Sequence, residues 1–159
     1  DRYASRGLGD VYKRQAMSKI SSYNNLYKKL DTKIKQGLPT LSTCAGTIIL
    51  AKSVIDGDTH IPNIDIEIQR NAYGRQNESF EADVKFLNNN DIYCFIRAPK
   101  IIRTLNNDVK VIATQIEDIV GVSQNNIVSL TYHPELTNDN YYLEWLLAFM
   151  KEGKYVGSF

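Results

Sequence analysis

The chain has 159 residues, 43% hydrophobic and 23% charged, a balance that suits one ordinary globular domain with a sizeable core. Its 19 basic and 18 acidic residues leave a formal charge of +1, which removes any electrostatic case for nucleic acid or an anionic membrane as a partner. No apolar run approaches the ~20 residues of a membrane span, no secretory pattern is visible, and the two cysteines, Cys44 and Cys94, match no zinc or disulfide spacing, so a reducing cytoplasmic setting is expected.

The first fifteen residues, DRYASRGLGDVYKRQ, lack periodicity and join abruptly to a well-patterned segment; residues 1–15 read as a non-native leader and 16–159 as the domain proper. From Met17 the apolar positions Met17, Ile20, Tyr23, Leu26, Tyr27, Leu30 and Ile34 fall at helical spacing. Lys19, Lys28, Lys29, Lys33 and Lys35 read as the solvated face of that helix. Gly37 ends it and Pro39 prevents its continuation. A short strand over Leu38–Ser42 leads into Cys44, and the apolar stretch Ala45–Val54 predicts a buried helix. After a turn at Asp56-Gly57-Asp58, the alternation of Ile64, Ile66 and Ile68 predicts a strand. Further strands are expected near 79–87, 92–97, 109–116 and 127–132, with turns at Asn88-Asn89-Asn90, Asn106-Asn107 and Asn125-Asn126. Tyr141–Met150 closes the chain as a helix with Thr137 or Asn138 as its cap. Helices and strands mix as in an α/β domain.

Two segments can carry chemistry. Pro39-Thr40-Leu41-Ser42-Thr43-Cys44-Ala45-Gly46 puts a thiol between a strand and a helix, the setting of a nucleophile elbow. There the helix N-terminus favours thiolate, and its first N–H groups, beginning at Ala45, can donate to an oxyanion. A small buried cysteine is the alternative. The second segment is Tyr132-His133-Pro134-Glu135, at the end of the apolar run Ile127–Leu130. In extended chain, residues two apart share a side, so Glu135 can fix the imidazole tautomer while His133 faces the thiol. His60, the other histidine, lies in a polar turn and reads as a surface residue.

The order of TCAG (Thr43–Gly46), RNAYGRQ (Arg70–Gln76), SFEAD (Ser79–Asp83), FIRAP (Phe95–Pro99) and HPELT (His133–Thr137) resembles the glutaminase subunits of pyridoxal 5′-phosphate synthases, a family of class I glutamine amidotransferases. The resemblance covers about residues 16–152. It implies a class I glutamine amidotransferase-like (flavodoxin-like) α/β fold, a mixed sheet flanked by helices. It also implies hydrolysis of L-glutamine to glutamate and ammonia, with Cys44 as nucleophile, His133 as acid and base, and Glu135 as orienter. Arg70, Ile96 and Arg97 match positions that contact glutamine, and Gly74 and Arg75 shape or brace their loop. Ammonia would pass to a (β/α)8 synthase subunit, the implied partner. No cofactor and no metal are implied.

Two departures carry expectations of their own. The family's opening strands and its Gly-Gly-Glu-Ser-Thr loop, which supplies glutamine contacts and an oxyanion donor, have no counterpart in the 159 residues, so the sheet is expected to lack the first strands, the chain reads as N-terminally incomplete, and its turnover is expected to be impaired. Ser42 stands where the family carries Gly, so the elbow has to accept a Cβ there. A class I glutaminase serving another synthase, or a non-catalytic scaffold that binds a partner, are the competing readings.

Overall fold

A computed structural model of the chain describes residues 25–73 and 79–154. Helix α1 spans Leu26–Lys35, and Gly37 follows it at φ 96°, a conformation that costs glycine little. Met17, Ile20 and Tyr23, the first positions of the expected helical stripe, lie outside the described residues, as do the leader and Gly74 and Arg75. The C-terminal end of α1 is tied to the sheet by Asn126, whose amide donates to the carbonyls of Ile34 at 3.0 Å and Leu38 at 2.6 Å.

Strand β1 (Thr40–Thr43) and helix α2 (Ala45–Leu50) meet at Cys44. The single helix expected over Ala45–Val54 is corrected: α2 stops at Leu50 and the chain turns directly into strand β2 (Ala51–Ile55). Ser53, Val54 and Ile55 pair in parallel with Glu67, Ile68 and Gln69. A short apolar run fits helical and extended periods alike, and the β-branched Val54 and Ile55 gain more from a neighbouring strand than from a further helical turn.

Strand β3 (Ile64–Gln69) buries Ile64, Ile66 and Ile68 and leaves the intervening side chains half-buried, as the alternation predicts. Strands β4 (Ser79–Phe86) and β5 (Asn89–Ile96) form a hairpin whose two-residue turn is Leu87-Asn88, so Asn89 and Asn90 belong to the strand and not to the expected turn. Strands β7 (Lys110–Gln115) and β9 (Ile127–Leu130) fall where expected. Strands β6 (Lys100–Thr104) and β8 (Asp118–Gln124) were not expected. β8 is almost wholly buried and therefore shows no alternation.

The nine described strands form one mixed sheet, in the path β2-β3-β6-β8-β7-β4-β5 with β1 joined through β9. β1–β9 and β2–β3 are parallel, the other pairs antiparallel. β8 is the hinge of the arrangement: β7 runs along one edge, and the other is shared between β6 at Ile119 and β9 at residues 121–124. Helix α3 (Asn140–Glu152) packs Tyr142, Trp145 and Phe149 onto one core with Phe86, Tyr93, Phe95 and Leu130. Ile34 of α1 and Leu50 of α2 close a second core over Ile64, Ile66, Ile68 and Val122. The cap of α3 is Asp139, which accepts from the N–H of Tyr141 at 2.9 Å, in place of the expected Thr137 or Asn138. No helix among the described residues is long and apolar enough to cross a membrane.

Candidate active site

Cys44 sits at φ 47°, ψ −106°, between the last residue of β1 and the first of α2. A residue with a Cβ is held there only at a cost of about 1–3 kcal/mol, so its surroundings have to over-determine it. They do. The Cys44 N–H donates to the carbonyl of Leu130 at 2.9 Å, the buried Thr47 hydroxyl donates to the same oxygen at 2.6 Å, and the Thr47 N–H returns to the Cys44 carbonyl at 3.1 Å. Thus the last residue of β9 fixes the turn from both sides. Ser42 causes no conflict: it lies in β1 with its hydroxyl 2.6 Å from that of Ser129, and the positive φ falls two residues later. Room comes instead from Gly46, where an added Cβ would lie 3.3 Å from the Cβ of Ser42.

Beyond β9, Thr131 donates its N–H to Val120 at 2.8 Å and Tyr132 is wholly buried. The N–H of His133 donates to the carbonyl of Cys94 at 2.9 Å, an isolated bridge between this segment and β5. Pro134–Leu136 then form one 3-10 turn, with Pro at its start where a missing N–H is harmless. His133 Nδ1 and Glu135 Oε1 lie 2.7 Å apart. The side chains therefore meet as expected, but through a 3-10 turn and not an extended chain. A carboxylate can only accept, so Nδ1 carries the proton and Nε2 is left with its lone pair when the imidazole is neutral. Glu135 is 53% exposed, and a contact so open to water contributes little stability. Its effect is on orientation.

Strand β5 brings the two segments together. The Cys44 thiol donates to the carbonyl of Ile96 at 3.6 Å, and His133 is anchored two residues earlier at Cys94. Arg97 follows Ile96 at φ 47°, so the chain leaves β5 through a left-handed residue immediately after the carbonyl that meets the thiol. Arg70 comes just after β3, where Gln69 pairs with Lys100, which places it at the same end of the sheet as the Arg97–Pro99 bend. Its side chain passes under the 56–58 turn, since a Cβ on Gly57 would lie 3.3 Å from Arg70 Cδ. Ala45 opens α2, where the first N–H groups lack intrahelical acceptors.

Cys94 differs from Cys44 in kind. Desolvation and the neighbouring Glu81 carboxylate, to which its thiol donates at 3.8 Å, push the Cys94 thiol upward and keep it protonated. Its contribution to the site is its backbone carbonyl. That contribution, with that of the Leu130 carbonyl, was not apparent from the sequence, because a main-chain acceptor carries no residue signature; the Thr47 hydroxyl was missed because its acceptor lies 83 residues away in the chain. His60 is exposed on the surface, against the ring of Tyr27 at 5.6 Å.

Residues 13–152 match the model of the SNO glutamine amidotransferase family. A pyridoxal 5′-phosphate synthase subunit PdxT of Thermococcus onnurineus is 42% identical over 136 residues, 82% of this chain and 69% of that one. A protein of the same description from Thermosipho africanus is 42% identical over 139 residues, 86% of this chain and 73% of its own. A crystal structure of a glutamine amidotransferase superposes with a TM-score of 0.76 at 31% identity, covering 84% of this chain and 72% of the other. The crystal structure of a protein from Thermoplasma acidophilum described as part of a GMP synthase, at 15% identity and a TM-score of 0.56, shares the fold. These likenesses bear out the class I glutamine amidotransferase-like fold and the glutaminase class of enzyme. The chain belongs to the SNO glutamine amidotransferase family.

Proposed function

We propose that the protein is the glutaminase subunit of a pyridoxal 5′-phosphate synthase, hydrolysing L-glutamine through Cys44, His133 and Glu135. The observation that carries the reading is the convergence on β5 of a strained thiol and a paired imidazole, from segments far apart in sequence. His133 takes the thiol proton through Nε2 while Glu135 holds Nδ1–H. Cys44 sulfur attacks the side-chain amide carbon of glutamine, and the proton from His133 leaves with the amine as ammonia. Water, deprotonated by His133, then attacks the glutamyl thioester, releasing glutamate and restoring the thiol. The Ala45 N–H is suited to the oxyanion, and losing one such donor costs about 10²–10³ in rate. Arg70 and Arg97 offer guanidinium groups to the α-carboxylate, with the Ile96 main chain beside them.

Ammonia is lost easily to solvent, so it is handed within a complex to a (β/α)8 synthase subunit. The test is glutamate release from glutamine by the protein together with the synthase subunit. Activity is expected with the native residues and is expected to vanish in Cys44→Ala; turnover surviving in Cys44→Ala would overturn the assignment.

A further inference from the structure

The His133–Glu135 turn is held at both of its ends by one residue of β5, Tyr93. At the first end, the ring of the wholly buried Tyr132 packs on Tyr93 with centroids 4.7 Å apart, and the next residue, His133, is bonded to the carbonyl of Cys94. At the second end, the Tyr93 hydroxyl donates to Oδ2 of Asp139, a carboxylate only 6% exposed. The other oxygen, Oδ1, accepts from the Tyr141 N–H at 2.9 Å and so caps α3. Asp139 thus has two separable tasks, one toward its own helix and one toward β5.

We propose that Tyr93 and Asp139 are positioning residues that clamp the His133–Glu135 turn against β5 and so set the imidazole relative to Cys44. The same four-residue stretch, Tyr93 to Ile96, then supplies the clamp, the acceptor for the His133 N–H and the carbonyl that meets the Cys44 thiol. A buried carboxylate needs strong compensation, and a tyrosine hydroxyl shielded from water provides it at a fixed distance from the strand. Burial first, then the Asp139 carboxylate, pushes the Tyr93 phenol upward, so it remains a donor throughout the working pH range. The Tyr132 hydroxyl is buried and has no hydrogen-bond partner among the described residues, so the contribution of Tyr132 is its ring.

The proposal rests on the triad reading above, and the experiment separates the two. Two quantities are measured at pH 7: glutamate release by the full protein with its synthase subunit, and the rate of Cys44 alkylation by iodoacetamide, followed by peptide mass. Tyr93→Phe keeps the ring and removes the hydroxyl. Asp139→Ser keeps a helix cap and is too short to reach Tyr93. Both are expected to lower kcat and the alkylation rate by about 10-fold or more, with KM for glutamine unchanged. Tyr132→Phe, which keeps the ring and removes a hydroxyl without a hydrogen-bond partner among the described residues, is expected to retain both rates. Native rates in Tyr93→Phe and Asp139→Ser, with His133→Ala impaired, would overturn the clamp and leave the triad standing. Native rates in His133→Ala would overturn the triad, and the clamp with it.

Discussion

The N–H of Cys44 and the hydroxyl of Thr47 share a single acceptor, the carbonyl of Leu130, at 2.9 and 2.6 Å. The strained residue of the elbow is therefore locked to the end of the strand that leads to His133. The backbone that carries the thiol and the backbone that leads to the imidazole are thereby joined directly, through one main-chain donor and one side-chain donor on the same carbonyl.

Thr47→Val keeps the shape of the buried side chain and deletes its donor. Because Leu130 retains the bond from Cys44, the expected cost is that of one net hydrogen bond, about 1 kcal/mol, or roughly 3 °C in Tm for a chain of this size. Thermal melting checks the magnitude. Turnover is expected to fall further than stability suggests, since the lost bond braces the nucleophile.

Glu135→Gln tests orientation apart from stability. The 53% exposure of Glu135 means that Tm should hardly move. The amide can present its oxygen to Nδ1–H but brings no charge to a developing imidazolium. We expect kcat to fall on the order of 10²-fold, with KM little changed. Unaltered kcat would show that the 2.7 Å contact has no part in turnover.

Gly121 lies where β8 meets β7 and β9, and a Cβ there would come within 2.7 Å of Ala113 Cβ and 2.8 Å of Leu130 Cδ2. The Ala113 Cβ is fixed by its backbone and the Leu130 side chain is wholly buried, so Gly121→Ala is expected to cost about 1–3 kcal/mol through overpacking. Leu130 also anchors the elbow, so Cys44 alkylation should slow in the same variant. Chemical denaturation and alkylation together check both effects.

Acid should weaken the fold through Asp65. Lys52 at 2.7 Å is the largest influence, and with Gln124 and Asn106 it holds this carboxyl below its ordinary range. The folded state thus binds its proton less readily than the unfolded one. Its stabilisation is present above the unfolded value of about 3.9 and is lost as pH falls below that through the folded value. Asp65→Asn is expected to reduce stability at pH 7 and to flatten the decline of Tm below about pH 4. An unchanged decline would assign acid sensitivity elsewhere, with Asp31 and Glu67, both also shifted downward, as the next groups to test.

Local pattern settled several features by itself. Gly37 and Pro39 marked the end of α1, the Ile64-Ile66-Ile68 alternation marked β3, and the small residues around Cys44 marked an elbow, because each depends on conformations that neighbouring residues permit or forbid. The closeness of His133 to Glu135 was also legible, since only one residue intervenes. The split of Ala45–Ile55 into α2 and β2 was not, because an apolar run fits either state until β3 lies beside it. β8, buried on both faces, had no alternation to read. Above all, the carbonyls of Leu130, Cys94 and Ile96 and the Tyr93–Asp139 contact exist only once β9, β5 and α3 are packed. Sequence supplied the reactive groups, because their chemistry resides in side chains. Tertiary structure supplied the frame that aims them, because main-chain acceptors are identical in type at every residue and the Tyr93–Asp139 contact joins side chains 46 residues apart.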